Sequence, residues 1–151
     1  MRFFEDGESS TWIELQQASD PFFTATADIL NKTMPGSTEY RAERIMFLVD
    51  PAGHDIGSIA AWQTTEITEE EIGQIHWVAI LPEAQGRGLS VPMLGAACHR
   101  LQEMGHRQAC LSTNMKRLPA VNLYLKFGFK PQLDSEEQKI GWEKIKPRLK
   151  Y

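Results

Sequence analysis

The chain has 151 residues, of which 42% are hydrophobic and 24% are charged, so it is long enough to bury a core and has the composition of a globular protein. Its net charge of −4 argues against a binder of nucleic acid or anionic membranes, and weakly favours a cationic partner such as an amine. No apolar run approaches the ~20 residues of a membrane span, and the N-terminus lacks the pattern of a signal peptide. We therefore expect a single domain over residues 1–151, located in the cytoplasm.

The cysteine and histidine pattern predicts no metal site. Cys98 and Cys110 fall in a predicted helix and a predicted strand, and neither has metal-ligand spacing to any of the four histidines. We expect both cysteines to be buried thiols in a reducing compartment. His54, His99 and His106 are expected in loops or on helix surfaces.

The N-terminal third has weaker signals than the rest. Residues 11–15 are compatible with a first strand or an edge strand. Asp20-Pro21 predicts a helix start, because an acidic N-cap precedes a proline at the first helical position, and the helix should end at Met34-Pro35-Gly36. Residues 39–43 should form a loop or a short helical turn.

Two apolar runs in the middle of the chain predict a β-hairpin. They cover residues 45–49 and 55–63, and the turn residues Asp50-Pro51-Ala52-Gly53 lie between them. Gly57 inside the second run indicates a bulge or a close backbone approach. The acidic segment 64–71 that follows is expected to be a solvated linker rather than a lip that recruits cations.

The next segment has the strongest pattern in the chain. Residues 74–80 are apolar and β-branched enough for a buried strand, which Pro82 ends. Residues 89–104 have apolar positions at three- and four-residue steps, typical of a packed helix that stops at Gly105. The glycine loop of residues 85–90 therefore opens directly onto a helix start.

This loop has the features of a phosphate site. The first turn of a helix leaves about four N–H groups unpaired, and the helix dipole adds partial positive charge there. Gly86 and Gly88 would let an anion approach the backbone, Arg87 adds a formal charge, and Pro92 is tolerated in the first turn. The alternative is a tight turn in which both glycines serve only to reverse the chain.

Two common phosphate motifs are excluded. A P-loop requires Gly-Lys-Ser/Thr, whereas Leu89 follows Gly88, and the dinucleotide fingerprint requires a third glycine where Val91 stands. The remaining pattern, Gln-x-x-Gly-x-small, resembles the acetyl-CoA pyrophosphate loop of the GNAT N-acetyltransferase superfamily. Gln85 and Gly88 match that loop, and Ser90 is a small-residue departure.

The C-terminal part adds further predicted elements. A short strand is expected over 109–113, and a helix beginning at Pro119 should end at Gly128. Phe129 should begin another strand, and residues 138–145 should form a final edge strand. Together the elements predict a mixed α/β domain around one sheet.

A second motif resembles the same superfamily. Residues 118–129 carry an alanine and an aliphatic residue, then Leu-Tyr, then Gly-Phe at the helix exit. The matching positions are Ala120, Val121, Leu123, Tyr124, Gly128 and Phe129. Two motifs in the family's order are stronger evidence than either alone. The resemblance covers residues 45–131 well and the N-terminal third loosely.

The resemblance implies a fold and a co-substrate. The fold would be a mostly antiparallel mixed sheet, flanked by helices, whose splayed central strand pair exposes an edge to the pantetheine arm of acetyl-CoA. The loop amides would hold the pyrophosphate. The implied cofactor-binding residues are Val78, Ala79, Ile80, Gln85, Gly86, Arg87, Gly88, Leu89 and Ser90.

The resemblance also implies a proton donor but no clear base. Tyr124 occupies the position of the family's general acid, and a phenol with an ordinary pKa near 10 suits protonation of a thiolate. Relatives carry a carboxylate base where this chain has Gln74 or Ser112, neither of which can take a proton. His76 is therefore a candidate base, beside a structural histidine or an ordered water chain. Arg117 replaces an asparagine of the family and is not given that residue's role.

The leading hypothesis is an N-acetyltransferase that uses acetyl-CoA to acetylate a primary amine of a small molecule or protein by direct attack. The alternatives are a non-catalytic CoA-binding module on the same fold and an acyltransferase for a larger acyl-CoA. The acceptor should lie against the N-terminal helix and the acidic linker. An exposed final edge strand would also invite homodimer formation.

Overall fold

The computed structural model describes residues 1–20, 23–66 and 70–151. Contacts divide the chain into two compact units, residues 1–111 and residues 112–151. The first unit carries the sheet and the second carries two helices. In the described part of the chain, no helix is long and apolar enough to cross a membrane.

The first unit is built on a five-stranded mixed sheet with the order β1-β2-β3-β4-β5. All neighbouring pairs are antiparallel except β4 and β5, which are parallel. The strands are β1 Arg2–Phe3, β2 Ile45–Val49, β3 Asp55–Thr64, β4 Ile72–Ile80 and β5 Ala109–Cys110. Helices of this unit are α1 Ser9–Ser19, α2 Ala27–Thr33, α3 Thr38–Ala42 and α4 Ser90–Glu103. This mixed α/β class is the predicted one, and the predicted hairpin is β2–β3.

Helices α1 and α4 cover opposite faces of the sheet. Alternate residues of β3, Ala60 and Trp62, belong to a buried cluster with Trp12 and Leu15 of α1. On β4, Gly73 instead lies under α4, where an added Cβ would be 3.0 Å from a Leu101 methyl carbon. Because successive strand residues point to opposite faces, the two helices lie on different sides of the sheet.

Two features distinguish the β3–β4 ladder from a regular one. At Gly57 an added Cβ would be 2.7 Å from the Ala79 carbonyl oxygen, which is the close backbone approach expected there. Further along, Ala60 pairs with His76 and Ser58 with Ala79, so β4 has one residue more than β3 between these pairs. Trp77, within this bulge, has a φ of +48°, the left-handed region that a bulky residue rarely adopts.

The end of α4 follows the predicted pattern. Gly105 has a φ of +90°. The His106 N–H donates to the Leu101 carbonyl, and the Gly105 N–H to the Gln102 carbonyl. These two hydrogen bonds form the Schellman motif. In this motif a glycine in the left-handed region lets the backbone N–H groups after the helix bond to the last helix carbonyls.

The second unit contains α5 Leu118–Lys126 and α6 Glu136–Ile145. Helix α5 has Pro119 in its first turn and Gly128 (φ +88°) after its end, as expected. In α6 an added Cβ on Gly141 would be 2.4 Å from the Met115 Cε, so only glycine allows this methionine to pack there without a shift.

Three predicted strands are wrong. Residues 11–15 lie in α1, where Trp12, Leu15 and Gln16 are buried at helical spacing. Residues 138–145 lie in α6 instead of an edge strand, because Ser135 and Gln138 form a reciprocal capping box at its start. The segment from Phe129 has no regular structure. Because residues 138–145 form a helix, the dimer argument based on a final edge strand loses its basis.

Smaller departures concern boundaries. Thr26 caps α2, so this helix starts at Ala27, later than expected. Asp20, the predicted N-cap, is instead the C-cap of α1, and Pro21 lies outside the described residues. Residues 39–43 form the short helix α3, and β5 is shorter than predicted. Residues 67–69 of the acidic linker also lie outside the description. Cys98 and Cys110 are free and half-buried rather than fully buried.

Candidate functional site

The edge of β4 that faces β5 is mostly unpaired. The two strands pair only at Gly73 with Ala109 and at Gln74 with Cys110. Among the described residues, no strand pairs with residues 75–80 on that side. The parallel pair is thus joined at one end and open at the other, which is the splayed arrangement that the family resemblance implied.

The ladder register decides which backbone groups the open edge presents. The Leu81 N–H donates to the Ile56 carbonyl at 2.9 Å, and Ala79 pairs with Ser58 in the same register. Because residues of an antiparallel strand alternate in direction, Val78 and Ile80 direct their N–H and C=O groups away from β3. Ala79 faces β3 instead, although all three residues were predicted to bind the cofactor.

The glycine loop lies directly after this edge. Gly86 and Gly88 have φ angles of +72° and +75°, and an added Cβ on either would meet no atom within 4 Å. Both therefore need glycine for the backbone conformation, and both border open space. In the part of the chain that the structure describes, no protein acceptor takes a hydrogen bond from the backbone N–H groups of residues 86–90.

The loop amides and the start of α4 together suit an anion. Leu89 is the N-cap of α4 and provides no side-chain cap, so the positive end of the helix dipole lies at the loop. Arg87 is exposed within the loop. Successive N–H groups around residues in the left-handed region form a concave site for phosphate oxygens. These residues fit a pyrophosphate.

Gln85 has a second contact that the sequence did not predict. Its side-chain Nε2 donates to the Ile80 carbonyl oxygen at 2.8 Å. This bond joins the loop to the end of β4 and uses one acceptor of the open edge. The Val78 N–H and C=O and the Ile80 N–H remain as the polar groups of the edge.

Gln16 is a buried polar residue that sequence reasoning missed. Its side chain is 5% exposed, and its Nε2 donates to the Ser58 Oγ at 2.8 Å and to the Trp77 carbonyl oxygen at 2.9 Å. The amide therefore joins α1 to both strands at the bulge. The only sequence signal was a glutamine on the apolar side of an amphipathic segment, beside Trp12 and Leu15.

The Trp77 side chain is held in place by α1 and α2. Its indole N–H donates to the Thr33 Oγ1 at 2.9 Å. The ring packs edge-on against Trp12, with centroids 5.3 Å apart, and lies at a tilt against Phe23, with centroids 5.1 Å apart. These contacts stabilise the left-handed residue of the bulge.

His76 precedes the bulge on the face that α1 covers. Burial lowers the pKa of its imidazole from 6.5 to about 4, so the ring is neutral at pH 7. The ring lies 5.3 Å from that of Trp77. Gln74, two residues earlier, shares this strand face.

Tyr124 lies on α5 in the second unit. It is 8% exposed, and its ring packs edge-on against Phe129 at 6.1 Å. Burial raises the pKa of the phenol, and the positive charge of Arg117 partly offsets that rise. The phenol is therefore protonated at neutral pH. Arg117 itself is the N-cap residue of α5.

Among the described residues, no group of three or more His, Cys, Asp or Glu side chains is arranged to hold a metal ion.

The comparisons with known proteins agree on one family. The sequence model of the Acetyltransferase (GNAT) family matches residues 10–129. The mycothiol acetyltransferase of Streptomyces griseus is 27% identical over 135 residues, which cover 85% of this chain and 42% of that protein. The mycothiol acetyltransferase of Pseudarthrobacter chlorophenolicus is 32% identical over 90 residues, covering 53% of this chain and 28% of that protein. The chain thus spans less than half the length of these curated relatives.

Solved structures share the fold. The aminoglycoside N-acetyltransferase AAC(6')-Iy, in complex with CoA, has a TM-score of 0.67 and 14% identity, with 89% of each chain covered. At this identity the likeness shows the fold alone.

Proposed function

Because the chain belongs to the acetyltransferase (GNAT) family, we propose that it is an N-acetyltransferase that transfers the acetyl group of acetyl-CoA to a primary amine. The observation that carries the proposal is the open β4 edge beside a glycine loop with unpaired amides. The names of the curated relatives and the CoA-bound neighbour support the same co-substrate.

Each part of the first unit has a proposed binding task. The backbone groups of Val78 and Ile80 would pair with the amide groups of the pantetheine arm, as an added strand would. The N–H groups of residues 86–90 would bind the pyrophosphate, with Arg87 adding positive charge. When bound, acetyl-CoA supplies a thioester whose carbonyl carbon an amine can attack.

Tyr124 is the proposed proton donor to the leaving thiolate. The hydroxyl of a phenol whose pKa is raised by burial keeps its proton at neutral pH, so it is available to donate. This role rests on the motif and on the protonation state.

The acceptor amine must lose a proton before or during attack. His76 remains a candidate base, but an imidazole with a pKa of about 4 holds a proton weakly at pH 7. The lowered pKa therefore favours transfer from the amine to solvent through ordered water, with the neutral ring of His76 as a hydrogen-bond partner.

Calorimetric titration with acetyl-CoA and with CoA tests the proposal. Saturable binding of both, followed by acetylation of one or more amines in a panel of small-molecule and peptide amines, is the expected outcome. Binding without turnover of any amine would favour the non-catalytic CoA-binding module. Failure of both ligands to bind would reduce the glycine loop to a turn and overturn the proposal.

A further inference from the structure

We propose that Gln16 is a positioning residue for acyl transfer: through the Trp77 carbonyl, its side-chain amide fixes the direction of the Val78 N–H at the open edge of β4. The inference rests on the proposed function only for its catalytic consequence. The positioning itself is a property of the protein without ligand.

The first step is the shared peptide unit. The Trp77 C=O and the Val78 N–H belong to one planar trans peptide, so they point in opposite directions. The Trp77 carbonyl accepts a hydrogen bond from the Gln16 Nε2 at 2.9 Å. A bond that holds this carbonyl therefore also holds the Val78 N–H, and directs it away from Gln16.

The second step is the direction of that bond. The Nε2 of Gln16 also donates to the Ser58 Oγ on β3, so the Trp77 carbonyl points toward the Gln16 amide, which lies beside β3 on the face of the sheet that α1 covers. The Val78 N–H points away from that amide and so away from β3. This agrees with the alternation expected from the register of Ala79 and Ser58.

The third step is that the hydrogen bonds between β3 and β4 cannot fix the Trp77–Val78 peptide at the bulge. The extra residue of β4 has no partner residue on β3, and Trp77 is in the left-handed region, so regular strand pairing does not hold this peptide. Indole contacts hold the Trp77 ring, but the Gln16 bond holds its carbonyl. Both N–H groups of the Gln16 amide are used, and Gln16 and Ser58 are 5% and 0% exposed, so water does not readily replace the bond.

The fourth step is the matching bond at the other end of the edge. Gln85 donates to the Ile80 carbonyl and holds the last peptide of β4. Two glutamine amides, one from α1 and one from the loop, thus hold the carbonyls of Trp77 and Ile80, which lie before and after Val78 on β4. The backbone donors between them are preorganised for a ligand strand, which lowers the cost of ordering on binding.

The test compares Gln16→Met with Gln63→Met. Methionine keeps the length of the side chain but removes the amide donors. Gln63 lies near the opposite end of β3, where its amide donates to the Tyr40 hydroxyl, so this variant loses a similar bond away from the bulge. We expect Gln16→Met to weaken acetyl-CoA affinity by about tenfold and to raise the KM for acetyl-CoA more than it lowers kcat. The Gln63 variant should bind as the wild type does.

Two further measurements keep the test independent of folding and of function. Ser58→Ala retains the Gln16–Trp77 bond and should keep acetyl-CoA affinity within about twofold of the wild type. In amide NMR spectra of the ligand-free protein, the Val78 resonance should shift in Gln16→Met and stay in place in Gln63→Met. If Gln16→Met does not fold, Gln16→Leu, which has no amide donor either, replaces it in both measurements.

The outcomes separate the two proposals. A folded Gln16 variant with an unchanged Val78 resonance would overturn the positioning role, and so would unchanged acetyl-CoA affinity. If the wild type itself binds no acetyl-CoA, the proposed function fails, whereas the Val78 resonance still decides whether Gln16 holds that peptide.

Discussion

At the scale of single residues, Gly88 allows a direct test of the loop. Gly88→Val places a β-branched side chain in the open space beside the unpaired amides, at a φ of +75° that L-residues rarely adopt. We expect acetyl-CoA affinity to fall by tenfold or more, as judged by calorimetry, since the side chain would block approach to the backbone.

Gly53 supplies the matched control for that experiment. It has a φ of +92°, and an added Cβ would also meet nothing within 4 Å, but it lies in the β2–β3 turn. Gly53→Val should cost a similar amount of stability, about 1–2 kcal/mol, without changing acetyl-CoA affinity. Equal affinities of the Gly88 and Gly53 variants would refute the loop assignment.

A substitution at Tyr124 tests the acetyl-transfer step rather than acetyl-CoA binding. Tyr124→Phe removes the hydroxyl and keeps the ring that packs against Phe129. Loss of a general acid should lower kcat by about a hundredfold while the dissociation constant for acetyl-CoA stays the same. Steady-state kinetics beside calorimetry would show this difference, and an unaltered kcat would remove Tyr124 from the mechanism.

At the scale of secondary-structure elements, Gly57 decides how closely β3 can approach β4. A Cβ there would be 2.7 Å from a backbone atom, the Ala79 carbonyl oxygen, which lies between the two residues of the proposed edge. Gly57→Ala should cost about 1–3 kcal/mol in urea denaturation and also weaken acetyl-CoA binding, because β4 must shift.

Gly95 in α4 offers the contrasting substitution. An added Cβ there would meet nothing within 4 Å, so Gly95→Ala should leave stability unchanged or raise it by up to about 1 kcal/mol. Equal stability of the two alanine variants would mean that the close approach at Gly57 has no energetic consequence.

Elements with strong local signals were predictable from the sequence. The hairpin strands, β4, the glycine loop and α4 combine apolar runs with turn residues at their ends, and the structure confirms each of them. Helix α6 was missed because Ile140, Trp142 and Ile145 suggested a strand, although Ser135 and Gln138 carry a capping signal. Helix α1 was missed because its buried side includes a polar residue, Gln16, whose hydrogen-bond partner Ser58 lies on the sheet and is distant in sequence.

The site was predictable to a similar degree. Glycines at positive φ follow from local backbone chemistry, so the loop could be found from Gly86 and Gly88 together with the strand before them and the helix after them. The bulge at Trp77 could not be found, because it depends on the register between two strands. The lowered pKa of His76 depends on its burial in the folded protein, which no local pattern reveals.

At the scale of the whole molecule, His76 links stability to pH. Its folded pKa of about 4 lies below the value near 6.5 expected in the unfolded chain. Between these values the unfolded chain binds more protons, so stability should fall as the pH drops from 6.5 to 4, by up to about 3 kcal/mol from this group.

Urea denaturation at pH 7 and pH 4.5 checks this expectation. His76→Gln removes the titrating group and should reduce the loss of stability between the two pH values. The control His99→Gln changes a histidine with a mostly exposed side chain and should lose as much stability as the wild type. If the His76 variant loses just as much, burial does not hold that imidazole neutral.

The short pairing between β4 and β5 also bears on how copies of the protein behave toward one another. Unpaired N–H and C=O groups along a strand are a template for a strand from any other chain, including a second copy. Under the proposed function, the edge that pairs with pantetheine would be available for self-association when acetyl-CoA is scarce. The co-substrate would then compete with that association, so the molecule that feeds the reaction would also help to keep the protein dispersed.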